Sequence, residues 1–87
     1  MKKISLITVC FNSESTVIDT LKSVADQTYS NIEHIVIDGG STDSTMELVS
    51  QYGSRVSKSI SEKDKGIYDA YNKGLLLATG EIIGFIN

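Results

Sequence analysis

A chain of 87 residues with 40% hydrophobic and 22% charged residues suits one small globular domain or part of a larger one. Its net charge of −3 and pI near 4.9 argue against non-specific nucleic-acid binding, and its basic residues are scattered rather than gathered in a stripe. No stretch reaches the ~18–20 apolar residues of a membrane span, and the single Cys10 cannot form an internal disulfide, which fits a reducing compartment.

Strand-like and helix-like patterns alternate along the chain, which predicts an α/β fold with a mainly parallel sheet and flanking helices. The first strand is expected over Lys3 to Cys10. It is nearly all apolar, as a strand covered on both faces should be. Lys2-Lys3 before this run resembles the start of a signal peptide, but the run is too short and too β-branched, and no small-residue cleavage site follows. Cys10, at its end, reads as a small buried hydrophobe. Phe11-Asn12-Ser13 turns the chain. Val17, Ile18, Leu21, Val24 and Ala25 then recur at helical spacing, predicting a helix from Ser15 to Gln27. Thr28 to Asn31 is a loop, and Ile32 to Asp38 a second strand, with partial exposure expected at Glu33 and His34.

Ser44 and Glu47 have the spacing of a capping box. The helix they open carries Met46, Leu48, Val49 and Tyr52, and Gly53 is placed to end it. Arg55 to Ile60 predicts a short polar strand near a sheet edge. Ser61 to Gly66 is a charged loop. A third helix is expected from Ile67 to Thr79, with Gly80 as its C′ residue. Glu81 to Ile86 predicts a fourth strand so apolar that it belongs inside a sheet. As an uncovered edge it would invite aggregation. The expectation is that a longer domain continues past Asn87 or that another chain covers this strand.

The most informative run is Ile35-Val36-Ile37-Asp38-Gly39-Gly40-Ser41-Thr42-Asp43. A buried strand ends in a carboxylate beside two glycines, where a ligand can approach the backbone. In open α/β sheets ligands sit at that carboxyl rim. This pattern predicts a nucleotide- or sugar-nucleotide-binding half-domain. Asp38 can accept from a nucleobase imide or a ribose hydroxyl, or it can cap its own turn. Asp43, just before a helix, reads as a cap. Thr8, Val9, Cys10 and Phe11 form the other lip if the first two strands are neighbours. Phe11 either stacks on a base or plugs the core. Asp64 either binds ribose or base or caps the following helix. Lys65 either reaches a phosphate or lies in solvent. Phosphate-binding motifs of the P-loop and dinucleotide types are absent, and His34 with Cys10 gives neither a zinc set nor a catalytic triad.

Taken together these residues resemble glycosyltransferase family 2. Ile4 to Asn12 is similar to the family's opening strand, which ends in Thr, two variable residues, an aromatic and Asn. Ser23 to Tyr29 resembles its S-x-x-x-Q-T-Y helix end. Ile37 to Asp43 resembles its D-(D/G)-G-S-T-D turn, with Gly39 where the commoner form has a second Asp. Asn72-Lys73-Gly74 and Ala78 to Ile83 resemble its N-x-G…A-x-G-E-I-I stretch. Ser61 to Ala70 is most similar to members that build bacterial surface polysaccharides.

The resemblance implies a Rossmann-like GT-A domain, of which residues 1–87 would be the truncated, N-terminal nucleotide-sugar-binding part. It implies that Thr8, Phe11 and Asp38 line the base and ribose pocket and that Asp64 approaches the base; Lys65 joins the nucleotide-binding candidates on its charge alone. It further implies a nucleotide-diphosphosugar donor, a UDP-sugar in most members, and a sugar or lipid-linked acceptor. A divalent metal, Mg or Mn, is expected for the complete domain, with its ligands beyond Asn87, where the catalytic base would also lie. A cytoplasmic location, at the inner face of the membrane for the complete protein, goes with that reading. The competing readings are a non-catalytic α/β binding or regulatory module, and a fragment that self-associates through its open fourth strand. A receiver-like module would want an acidic pair after the first strand, where Phe11-Asn12 stands.

Overall fold

A computed structural model of the chain describes residues 1–86. The elements run β1 (Ile4–Cys10), α1 (Val17–Ala25), β2 (Ile32–Asp38), α2 (Thr45–Tyr52), β3 (Val56–Ser61), α3 (Ile67–Leu77) and β4 (Ile82–Ile86). The four strands form one parallel sheet in the order β3-β2-β1-β4. The chain winds outward from β1 through β2 to β3, then returns to the far side of β1. The strand order therefore reverses between β1 and β4, the kind of switch point at which α/β sheets bind ligands.

Side chains alternate across the strands and sort the core into two layers. Ile7, Ile35 and Ile37 pack with Ala70 of α3. Val36 packs with Val17 and Leu21 of α1 and Val49 of α2. Helix α3 lies close to the sheet because Gly74 faces Ile7. A Cβ at Gly74 would stand 2.5 Å from Ile7 Cγ2. Among the described residues no helix is long and apolar enough to cross a membrane.

Several local expectations change in the folded chain. Helix α1 begins at Val17 because Ser13 to Thr16 form a turn, with the Val17 amide donating to the Ser13 carbonyl at 2.8 Å. Ser44 occupies the cap position of α2 without a side-chain cap bond. Asp43 does that work, since its Oδ1 accepts the Thr45 amide at 2.9 Å. Gly53 ends α2 as expected, its amide donating to the Val49 carbonyl, and both Gly53 and Gly80 are also needed for close approach. A Cβ would meet the Val49 carbonyl oxygen at 2.5 Å in the first case and Ser5 Oγ at 2.6 Å in the second. Helix α3 stops at Leu77, where Ala78 turns extended.

Glu33 and His34 are buried, at 4% and 1% exposure, instead of partly open. Strand β2 lies between two neighbours with helices over both faces, and each polar group has found a partner. Ser5 Oγ donates to Glu33 at 2.9 Å, the Thr79 amide donates to it at 2.9 Å, and Lys3 and Lys58 stand 3.3 and 3.1 Å from it. Strand β3 is an edge, as its polar sequence predicts. Strand β4 is the other edge of the sheet formed by residues 1–86. Ile82 and Phe85 are about half exposed, and one side of Phe85 meets the Tyr71 ring edge-on at 4.9 Å between centroids.

Candidate functional site

Parallel pairing of β1 with β2 sets Cys10 beside Asp38, so both strands end at one rim. The two loops that leave this rim are stitched together. The Asn12 amide donates to Ser41 Oγ at 2.7 Å, and Asn12 Oδ1 accepts the Thr42 amide at 2.8 Å. The Ser13 amide donates to Thr45 Oγ1 at 2.8 Å. Glu14 and Asp43 exchange with each other's loops, the Glu14 amide reaching Asp43 at 3.2 Å and the Ser44 amide reaching Glu14 at 3.1 Å. Asn12 holds a left-handed backbone, φ 48°, a conformation Asn tolerates better than most residues.

Asp38 is the knot beneath this platform. It is fully buried. Its Oδ2 accepts the amides of Gly40 and Ser41 at 3.1 and 2.8 Å and the Ser61 hydroxyl at 2.8 Å. Its Oδ1 accepts the Ser41 hydroxyl at 2.5 Å and the Cys10 thiol at 3.5 Å. Burial works against the charge, but the Ser41 hydroxyl and amide and the Ser61 hydroxyl more than offset it. The carboxyl is held below its ordinary range. Cys10 feels the opposite effect. Burial, then the Asp38 charge, pushes its thiol up to about 12, so it is no nucleophile near neutral pH.

Beside the knot opens a cleft of about 350 Å³. One wall is Val9, Cys10, Phe11 and Ser13, and the other is Asp64, Gly66, Ile67 and Ala70. Phe11 is 59% exposed, so it does not plug the core. Asp64 Oδ1 accepts the Gly66 amide at 3.0 Å, and Gly66, at φ 115°, lets the loop enter α3.

The candidate residues thus separate. Phe11 and Asp64 line the cleft together. Asp38 lies behind it with its oxygens occupied. Thr8 is buried mid-strand, its Oγ1 2.9 Å from His34 Nε2. Lys65 is exposed and is not part of the cleft wall; its amide donates to Asp69 at 2.9 Å.

Ser61, Ile67 and Ala70 were not singled out from the sequence as site residues. Ser61 had a signal, a hydroxyl at the carboxyl end of the third strand, and it pairs in register with Asp38. The two α3 residues had only their helical spacing.

Chemically the cleft offers a mostly apolar floor, one exposed aromatic ring and one acceptor-only carboxylate. That suits a flat ring bearing N–H or O–H donors. Among the described residues no group of three or more His, Cys, Asp and Glu side chains could hold a metal ion. Residues 1–86 therefore do not fit a metal site.

Comparison with known proteins agrees with this architecture. An uncharacterized glycosyltransferase of Mycobacterium tuberculosis is 41% identical over 85 residues, covering 97% of this chain and 32% of the relative. A mannosyltransferase from Pyrobaculum calidifontis, solved in complex with GDP-Man and Mn2+, superposes with a TM-score of 0.86 at 26% identity, over 94% of this chain and 26% of that one. S. aureus TarS, solved with UDP-GlcNAc, gives 0.86 at 29% identity, over 97% of this chain and 26% of that one. The chain therefore spans about a third of the length of the mycobacterial relative. The profile for Glycosyl transferase family 2 matches residues 5–87, and the chain belongs to that family.

Proposed function

We propose that this chain is the nucleoside-binding part of a glycosyltransferase that moves a sugar from a nucleotide-diphosphosugar to an acceptor. The observation that carries this reading is the cleft at the switch point, where Phe11 is exposed and Asp64 faces it across the gap. Phe11 stacks on the base, and Asp64 accepts a hydrogen bond from a base imide or a ribose hydroxyl. Asp38 and Thr8 act from behind. Asp38 fixes the β2–α2 loop through its bonds to Gly40 and Ser41, and Thr8 ties β1 to β2 through His34. Lys65, exposed one residue beyond Asp64, is the candidate cation for the diphosphate.

A UDP-sugar is the preferred donor in this reading. GDP-sugars are the next class to try, since the two solved neighbours carry UDP-GlcNAc and GDP-Man. The leaving diphosphate needs neutralising and the acceptor hydroxyl needs a base. A divalent Mg or Mn ion would supply the first in our reading, on ligands outside residues 1–86. A sugar or lipid-linked acceptor in surface polysaccharide synthesis, at the cytoplasmic face of the membrane, follows from the resemblance of the Ser61–Ala70 segment. The half-exposed β4 edge supports self-association by strand addition, read by sedimentation at increasing concentration; a monomer at every concentration removes it.

The test is calorimetric titration of the chain with UDP and then GDP, with and without Mn2+. Binding is expected, with little gain from Mn2+. Phe11→Ala is expected to lose about 1–3 kcal/mol, the worth of one base–aromatic stack. No binding of either nucleotide by a cooperatively folded chain would turn the reading toward a non-catalytic α/β module.

A further inference from the structure

The β3–α3 loop that carries Asp64 is seated on the glycine pair Gly39–Gly40. The Glu62 amide donates to the Asp38 carbonyl at 3.0 Å, and the Ser61 hydroxyl donates to the Asp38 carboxylate at 2.8 Å. These bonds draw the loop across the end of β2. A Cβ at Gly40 would stand 3.2 Å from the Lys63 amide nitrogen and 3.3 Å from its Cα. A Cβ at Gly39 would stand 3.0 Å from Asp64 Oδ2. The space that a side chain at position 39 would fill is the space that the Asp64 carboxylate now occupies.

The two glycines are bare for different reasons. Gly40 has φ +86°, so its backbone also disfavours a side chain. Gly39 is not among the residues with positive φ. The close neighbour is the Asp64 carboxylate, which a side chain at 39 would displace. No salt bridge holds Asp64 among the described residues; its position rests on the Gly66 amide and on this bare surface.

We infer that Gly39 is a positioning residue for nucleoside recognition: the rim has room for one acid, and the missing side chain at 39 lets the β3–α3 loop supply it as Asp64. This rests on the reading of Asp64 as a nucleoside ligand. A carboxylate introduced at 39 takes the same corner of the cleft and, being of like charge, drives Asp64 away.

The experiment is a four-point cycle on the 87-residue chain: wild type, Gly39→Asp, Asp64→Ala and the double variant. Affinity for UDP and for GDP is read by titration. The Gly66 amide resonance is read by NMR without nucleotide. Each single variant is expected to lose about tenfold or more in affinity, the loss of one charged hydrogen bond. The double variant is expected to regain most of that loss. Gly39→Asp is also expected to move the Gly66 amide to the position it has in Asp64→Ala. Gly39→Ala gives the same amide comparison should the aspartate variant fail to fold.

A Gly39→Asp chain whose Gly66 amide stays in place, or a double variant no tighter than the weaker single, overturns the inference. If the wild type binds neither nucleotide, the nucleoside reading fails, and the amide shift alone decides whether Gly39 seats Asp64.

Discussion

Lys58 reaches under β2 to stand 3.1 Å from the Glu33 carboxylate and also donates to the Leu77 carbonyl at 2.8 Å. One carboxylate thereby joins β1, β2, β3 and the end of α3 at the amino end of the strands, opposite the cleft. Removing it leaves the Ser5 hydroxyl and the Thr79 amide without their acceptor. Glu33→Ala is expected to cost roughly 2–4 kcal/mol, the price of breaking a buried hydrogen-bonded pair from one side. Urea unfolding of the variant checks this, and a midpoint equal to that of the wild type contradicts it.

Acid is expected to unfold the chain in two overlapping stages. His34 is held neutral, first by burial and then by the Arg55 charge, with its pKa pushed down to about 4 from 6.5. The unfolded chain takes up that proton near 6.5 and the folded chain does not. Stability therefore falls as pH drops from about 6.5 to about 4. Burial works against the Glu33 charge, but the Thr79 amide, the Ser5 hydroxyl and Lys58 outweigh it, and the carboxyl lies at about 2 against 4.5. Its contribution is complete above 4.5 and is lost as pH falls through 2. Denaturant midpoints measured from neutral pH downward should decline throughout; a flat profile between pH 6.5 and 4 would show that His34 is not held neutral.

Arg55 closes the end of α1. Its guanidinium donates to the carbonyls of Val24, Gln27, Tyr29 and Ser30 at 3.3, 3.0, 2.9 and 3.2 Å. A planar fork can serve four carbonyls where an ammonium cannot. Arg55→Lys is expected to lose most of what Arg55→Ala loses, about 1–3 kcal/mol. Amide hydrogen exchange should quicken in residues 24–31 in both variants. Full protection in the lysine variant would mean that charge at the helix end suffices.

Gly74 and Ile7 set the distance between α3 and the sheet. Alanine has the higher helix propensity, by about 1 kcal/mol, yet its Cβ would enter Ile7 Cγ2. Gly74→Ala is expected to destabilise by about 1–3 kcal/mol through overpacking. In an Ile7→Ala background the same substitution should be neutral or stabilising, because the obstructing atoms are gone. Additive losses in the double variant would rule out this contact as the cause.

The order of strands and helices, the polar edge at β3, and the position of Asp38 at a strand end followed by two glycines were all legible in the chain, because each depends on neighbours a few residues apart. Alternation, helical spacing and turn chemistry are local. Phe11 and Asp64 were legible as candidates for the same reason, but not as partners across one cleft. Pairings between residues far apart in the chain decided the rest. They buried Thr8 against His34 and Glu33 among two lysines. They brought Ser61 and Cys10 to the two oxygens of Asp38. A residue type states what bonds a group can make. Only the packed chain decides whether a neighbour has already made them.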